Sequence, residues 1–184
     1  AFRETIKKKS DVDSKYKKQS GGHGQYGHVK MRFEASGDLE TPYVFEEEVV
    51  GGAVPKNYFP AVEKGLQEAV VKGPLAGYPV VGVKAVLYDG SYHPVDSSEM
   101  AFKTATVTAF KKGFMEASPV LLEPIASLTV TIPDDYTGDI MGDLNKRRGR
   151  VLGMNPVSGG RQEIVADIPM TGLFGYCTVL RSMT

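Results

Sequence analysis

Nine consecutive residues, Ser20-Gly21-Gly22-His23-Gly24-Gln25-Tyr26-Gly27-His28, constrain this chain more than any others. Four glycines within seven residues give a backbone that bends sharply and can lie close to a neighbour. Gly22, Gly24 and Gly27 also satisfy Gly-x-Gly-x-x-Gly, a dinucleotide-binding pattern that needs a strand before it and a helix after it. The next residues are Val29-Lys30-Met31-Arg32-Phe33-Glu34, apolar at every second place, which is strand period. The stretch therefore reads as the tip of a hairpin, and the nucleotide pattern as accidental.

The rest of the first half falls into place around that hairpin. Residues 3–19 read as one long, partly exposed strand that pairs with residues 28–35 through the glycine loop. Ser36-Gly37-Asp38 is a turn, and residues 43–50 are a third strand ended by Gly51-Gly52. Residues 57–72 predict a helix with Phe59, Val62, Leu66, Ala69 and Val70 on one face. Asn57 is its expected cap, Pro60 fits its first turn and Gly73-Pro74 stops it. Val81, Val83, Ala85 and Leu87 alternate as a fourth strand up to Asp89-Gly90. A second loop, Ser91-Tyr92-His93-Pro94-Val95-Asp96, leads into a helix that ends near Ala117. Asp96 and Glu99 have the spacing of a capping box, and Met100, Val107, Phe110 and Phe114 share one face.

Leu121-Leu122-Glu123-Pro124 reads as the joint between two units, residues 1–120 and 121–184. In the second unit a strand alternates Leu128, Val130 and Ile132 with Ser127, Thr129 and Thr131. Residues 134–148 are a loop and helix with acids in front and Lys146, Arg147 and Arg148 behind, closed by Gly149 as C-terminal cap. A short strand at 151–154, a strand carrying Gln162, Ile164, Ala166 and Ile168, and a helix over 173–183 complete β-α-β-β-α. A split βαβ sandwich needs one more strand. The sheet is therefore expected to have one edge bare or paired with a neighbour, and the chain, which starts without Met, reads as a piece of a longer protein.

Composition narrows the function classes. Of 184 residues 41% are hydrophobic, enough for a packed core. Lys plus Arg and Asp plus Glu are 22 each, so overall charge gives no nucleic-acid argument. The charge is uneven, however: residues 1–20 hold seven bases against three acids, whereas residues 34–48 hold six acids and no base. The single cysteine, Cys177, forbids an intrachain disulfide, fits a reducing compartment and sits in an apolar stretch as packing. No membrane span, signal peptide or Walker-type phosphate loop is legible.

The three histidines, His23, His28 and His93, lack zinc-like spacing. Ser91, His93 and Asp96 have the residue types of a hydrolytic triad. They lie on one loop within six residues, however, without a Gly-x-Ser-x-Gly elbow. A solvated loop histidine, a hairpin turn with an anchoring tyrosine, and solvated charge runs are the bland readings of His93, of Gln25 with Tyr26, and of the basic clusters. The functional alternative pairs the two loops. If their strands share a sheet, both tips meet at one end. Glycines then admit a phosphate chain, His23, Gln25, Ser91 and His93 offer hydrogen bonds, and Tyr26 or Tyr92 stacks. Lys15, Lys17 and Lys18 on the entering strand attract phosphates.

The two loops, Gln19-Ser20-Gly21-Gly22-His23-Gly24-Gln25-Tyr26-Gly27-His28-Val29 and Asp89-Gly90-Ser91-Tyr92-His93-Pro94-Val95-Asp96-Ser97-Ser98-Glu99, closely resemble those of bacterial translation elongation factor G. So do Gly73-Pro74-Leu75-Ala76-Gly77-Tyr78-Pro79-Val80, Leu121-Leu122-Glu123-Pro124-Ile125, Gly138-Asp139-Ile140-Met141-Gly142-Asp143-Leu144-Asn145 and Phe174-Gly175-Tyr176. The matches run in order through the family's fourth domain and most of its fifth. The resemblance implies a ribosomal protein S5 domain 2-like α/β unit at residues 1–120. It implies a ferredoxin-like unit lacking its last strand at 121–184.

It also implies a role. In the family the fourth domain reaches the decoding site of the small ribosomal subunit while tRNA and mRNA move by one codon, and the fifth packs near factor-binding rRNA of the large subunit. By motif match Gln25 and His93 are the tip residues nearest that RNA, with Gly22, His23, Gly24, Tyr26, Ser91 and Tyr92 around them. Arg147 and Arg148 are the weaker candidates in the second unit. GTP and Mg belong to a GTPase domain not represented here. The piece itself is expected to be non-catalytic, without cofactor or metal, cytoplasmic, off the membrane and monomeric. The eukaryotic relative carries diphthamide at a tip histidine, and the bacterial-type match implies an unmodified His93. His23 stands where the family mostly has Arg, and Pro94 where an acid is frequent. This leaves open a paralogue acting in ribosome recycling or another task. A hydrolase using Ser91 and His93, and a purely structural module, are the alternatives of other classes.

Overall fold

The structure, a computed structural model, describes residues 2–19 and 22–170. The chain divides into two compact units, Phe2–Leu122 and the residues from Glu123 onward. In the first unit β2 (Ser10–Lys18), β3 (Gln25–Ala35), β4 (Tyr43–Glu47) and β5 (Val83–Ser91) form one sheet in the order β2-β3-β5-β4. The pairings β2–β3 and β3–β5 are antiparallel, and β4–β5 is parallel. The glycine stretch does join two strands: Lys18 opposes Gln25 across the hairpin.

The basic N-terminal segment is not one strand. β1 (Arg3–Ile6) is separate and pairs antiparallel with β6 (Pro119–Leu122), a strand placed where a joint was expected. The break falls at Lys7 and Lys8, whose amides turn to the Ala117 carbonyl. No Gly or Pro marks it, so periodicity runs through it unseen.

Two helices, α1 (Phe59–Ala69) and α2 (Glu99–Glu116), cover one face of this sheet. α1 starts later than Asn57 predicts. A 3₁₀ turn at Lys56–Tyr58 precedes it, Tyr58 occupies the cap position without a side-chain bond, and Pro60 lies in the first turn as expected. The cap of α2 is Ser98, whose hydroxyl accepts the Ala101 amide at 3.1 Å, rather than Asp96.

The buried face of α2 combines Phe102, Phe110 and Phe114 with Ala101, Ala105, Thr106, Ala109 and Gly113, while Met100 is 66% exposed. Reading the large residues alone misplaces that face. The small ones let the backbone approach the sheet: Ser10 and Ser14 hydroxyls donate to the Gly113 and Ala105 carbonyls at 2.7 and 2.8 Å. A Cβ on Gly113 would lie 2.4 Å from the Phe33 ring. Phe33 meets Phe110 edge-on at 5.7 Å, in the core completed by Val29, Met31, Leu66 and Leu87.

The opposite face carries the acidic run. Glu34, Glu46 and Glu48 are met by Lys9, just ahead of β2, and by Lys84 and Arg32 on β5 and β3, so the acids form a laced outer surface.

In the second unit β7 (Ile125–Pro133), α3 (Thr137–Lys146), β8 (Arg150–Val157) and β9 (Arg161–Pro169) give the sheet order β7-β9-β8, all neighbours antiparallel. β7 and β8 are thus parallel with β9 between them, the arrangement of a split βαβ. Its core holds Val130, Ile132, Ile140, Leu144, Ile164, Ala166 and Ile168. α3 ends with Arg148, not Gly149, in the left-handed region (φ 60°). The Gly149 amide donates back to Leu144 at 2.8 Å, and a Cβ there would crowd that carbonyl. β8 is longer than residues 151–154. The helix expected over 173–183, Cys177 and any strand completing the sheet edge lie outside the described residues.

Candidate nucleic-acid interface

The two loops singled out by the sequence leave the first unit at the same end. β3 begins at Gln25, β5 ends at Ser91, and His28 opposes Ser91 in the antiparallel register. Gly90 permits that junction, because a Cβ on it would sit 2.2 Å from the His28 carbonyl oxygen. Gly22 and His23 are exposed, and Gly24, Gln25 and Tyr26 are half-buried. Tyr92 and His93 are exposed, with 49% of the His93 side chain open to solvent. Lys15, Lys17 and Lys18 are exposed on β2, with the Lys15 ammonium 5.8 Å from the Tyr26 ring centroid.

Tyr26 ties the loops together. Its amide donates to the Asp96 carbonyl at 3.0 Å, its hydroxyl is 2.6 Å from Ser91 Oγ, and its ring lies 6.3 Å from that of His93. The close approach explains the third glycine of the pattern. A Cβ at Gly27 would be 2.4 Å from the Ala101 carbonyl, against the first turn of α2.

The second loop is folded around its own histidine. His93 Nδ1 accepts the Val95 and Asp96 amides at 3.2 and 3.0 Å, and Ser97 Oγ accepts the His93 amide at 2.8 Å. Nδ1 is therefore unprotonated and Nε2 carries the hydrogen, so the exposed ring offers a donor. Tyr58 braces the loop from beneath. Its hydroxyl donates to the Ser97 carbonyl at 3.3 Å, and its ring stacks on Phe102 at 4.5 Å.

Ser91 is bonded to His28 and not to His93. Ser91 Oγ lies 2.6 Å from His28 Nδ1, and His28 Nε2 lies 2.6 Å from Asp13 Oδ1. Sequence reasoning missed His28 and Asp13 because they sit on different strands. Only the register, which places His28 opposite Lys15 and Asp13 opposite Lys30, makes them diagonal neighbours. It also missed that β4, being parallel to β5, delivers residues 48–56 to the same end, where Val50 is 84% exposed. Among the described residues no three His, Cys, Asp or Glu side chains cluster as metal ligands would.

In the second unit Arg147 pairs with Asp143 at 3.1 Å and Arg148 with Glu123 at 2.9 Å, so both guanidinium groups already face a carboxylate. No helix among the described residues is long and apolar enough to cross a membrane.

The described residues thus give an α/β unit with two loops meeting at one end, followed in sequence by a split βαβ unit. Residues 1–118 match the family model of elongation factor G, domain IV, and residues 120–184 match that of the elongation factor G C-terminus. The chain belongs to the elongation factor G family. It is also similar to a crystal structure of a protein from Thermus thermophilus, at 48% identity and a TM-score of 0.81. That match covers 100% of this chain and 27% of the other, so the chain spans about a quarter of that protein's length. Neither matched region is the family's GTPase domain.

Proposed function

We propose that this chain is the ribosome-contacting arm of an elongation factor G-type GTPase. Its double-loop end touches the tRNA–mRNA duplex and rRNA of the decoding site during translocation. The observation that carries the reading is the convergence of the Gln25 and His93 loops at one end of a rigid sheet. Glycine backbone there admits phosphates, the His93 Nε2–H and the Gln25 amide supply hydrogen bonds, and Tyr92, 47% exposed, presents a ring for stacking. Gly22, His23, Gly24, Tyr26 and Ser91 shape the surface. Lys15, Lys17 and Lys18 steer it to RNA. Arg147 and Arg148 are secondary candidates toward the large subunit, with their charges already partly matched. GTP and Mg act in another domain of the whole protein, which works in the cytoplasm, and this part supplies no chemistry of its own.

The test is Gln25→Ala and His93→Ala in a full-length factor carrying these residues. Each should slow single-round translocation about tenfold with GTP hydrolysis unchanged. Wild-type translocation in both variants would refute the reading. A factor that splits ribosomes but does not translocate would favour the recycling paralogue, to which the His23 replacement of Arg lends weight. Ester hydrolysis lost on His93→Ala would instead favour the hydrolase.

A further inference from the structure

Four side chains from three strands form a continuous hydrogen-bonded chain behind the loops: Asp13 on β2, His28 and Tyr26 on β3, and Ser91 on β5. Every link is 2.6 Å. His28 is buried, whereas the Asp13 side chain is 58% exposed and in contact with water.

Donor and acceptor counting fixes the direction of the chain for a neutral imidazole. The Asp13 carboxylate can only accept, so His28 Nε2 carries the hydrogen. Nδ1 is then bare and accepts the Ser91 hydroxyl. Ser91 Oγ, having spent its hydrogen, accepts from the Tyr26 phenol. Each group is satisfied by the next, and the Ser91 hydroxyl is used inside the protein rather than offered to a partner.

We propose that Asp13, His28 and Ser91 are positioning residues: they hold the Tyr26 phenol, and Tyr26 holds the two loops in the arrangement that meets RNA. Tyr26 suits that task because it grips the second loop at two points, the Ser91 side chain through its hydroxyl and the Asp96 carbonyl through its amide. Asp96 in turn donates its amide to His93 Nδ1, so the chain reaches the exposed imidazole in one further step. Fixing this geometry in the free protein removes an ordering cost that would otherwise be met after binding, in the translocation step itself.

The inference rests on the ribosomal reading above, and the experiment separates the two. In a full-length factor carrying these residues, Tyr26→Phe, Ser91→Ala and His28→Ala should each slow translocation at saturating factor about fivefold. The concentration of factor giving half-maximal rate should stay unchanged. Because all three break one chain, the Tyr26→Phe/Ser91→Ala double variant should be no slower than either single one. Conservative replacements sort the links. His28→Asn keeps an acceptor near the Nδ1 position and should recover the rate to within about twofold, whereas His28→Gln keeps only the bond to Asp13 and should not.

Hydrogen exchange in the same variants should quicken in peptides covering residues 91–98 and not in those covering α2. That pattern distinguishes a loosened end from a loosened fold. If His93→Ala and Gln25→Ala slow translocation while Tyr26→Phe runs at the wild-type rate, the relay is overturned and the ribosomal reading stands. Independent, multiplying losses in the double variant, or better rescue by Gln than by Asn, also overturn it. Full rates in all variants overturn both.

Discussion

The first unit folds two loops around side-chain acceptors, one at each extreme of burial. In residues 73–79 the acceptor is Glu4, wholly buried, whose carboxylate takes the amides of Leu75, Ala76 and Tyr78 at 2.8–2.9 Å. In residues 91–97 it is His93, half open to solvent, whose Nδ1 takes the amides of Val95 and Asp96. The device is the same, and the consequences differ because water is available to replace one acceptor and not the other. A loop tied to a buried carboxylate is part of the fold. A loop tied to an exposed imidazole keeps its shape and still presents a ring atom to a partner. Sequence resemblance marks both loops equally, and only burial separates the loop that belongs to the fold from the one proposed to meet a partner.

The strongest way to break this comparison is at Glu4. Glu4→Ala would take the acceptor from three amides and leave a gap at a fully buried position, and should lower unfolding free energy by about 3–5 kcal/mol. Glu4→Gln, which keeps part of the acceptor capacity, should cost less. Gly73→Ala probes the same cage from outside, since its Cβ would fall 2.1 Å from a Glu4 carboxylate oxygen. Denaturant unfolding measures all three. A loss below about 1 kcal/mol for Glu4→Ala would mean that water enters the cage and that the two loops are alike after all.

The glycines of the first loop sharpen the comparison within a single motif. Gly27 abuts the α2 backbone, so Gly27→Ala should cost about 2–4 kcal/mol, because neither chain can give way without shifting the helix. Gly24 abuts the end of the Asp96 side chain, 2.9 Å from the added Cβ, with the Lys18 carbonyl next at 3.0 Å, so its first contact is a side chain rather than a helix backbone. Gly24→Ala should therefore cost about 1 kcal/mol or less. Equal losses would show that the whole stretch is fold. The expected gradient says that it turns from fold into surface between residues 27 and 24.

Legibility tracks the range of the interactions. The hairpin, the alternation of β5, β7 and β9, and Phe110 and Phe114 of α2 are local patterns, and all appear in the structure. The resemblance carried the order of elements further than periodicity could, because it rests on loops rather than on apolar spacing. The failures were non-local. Glu4 carries no local signal for burial until residues 75–78 fold against it, and nothing in Lys7-Lys8-Lys9 announces that the chain changes sheets. The same holds at the candidate interface: Gln25, Tyr26 and His93 stood out by their loops, whereas His28 and Asp13 needed the strand register. A small-residue helix face such as that of α2 escapes any reading that counts only large apolar side chains.

At the exposed extreme, His93→Ala removes an acceptor whose two amides can turn to water. The expected stability loss is about 0.5 kcal/mol, roughly a tenth of that at Glu4, against a large loss of translocation in the full-length factor. Thermal unfolding run beside the translocation assay reads both. A loss comparable to that of Glu4→Ala would make His93 a structural residue, and its effect on translocation would then need no contact with RNA.

The smallest effect is expected at Tyr88, which is half-buried on the outer face of the sheet and lies between the two extremes. Its phenol donates to the Asp11 carboxylate while the Arg32 guanidinium sits 4.8 Å from its ring. Burial first, and then the Asp11 bond, push the phenol from 10.0 up to about 12. The native state thus holds this proton where an unfolded chain would release it. The resulting stabilisation is complete below pH 10 and is lost as pH rises from there through about 12. Lysines titrate in the same window, so the useful quantity is a difference. The fall in denaturant midpoint between pH 10 and 12 should be shallower in Tyr88→Phe than in the wild type. Identical slopes would mean that the outer face behaves as free solvent, and that partial burial confers no protection intermediate between Glu4 and His93.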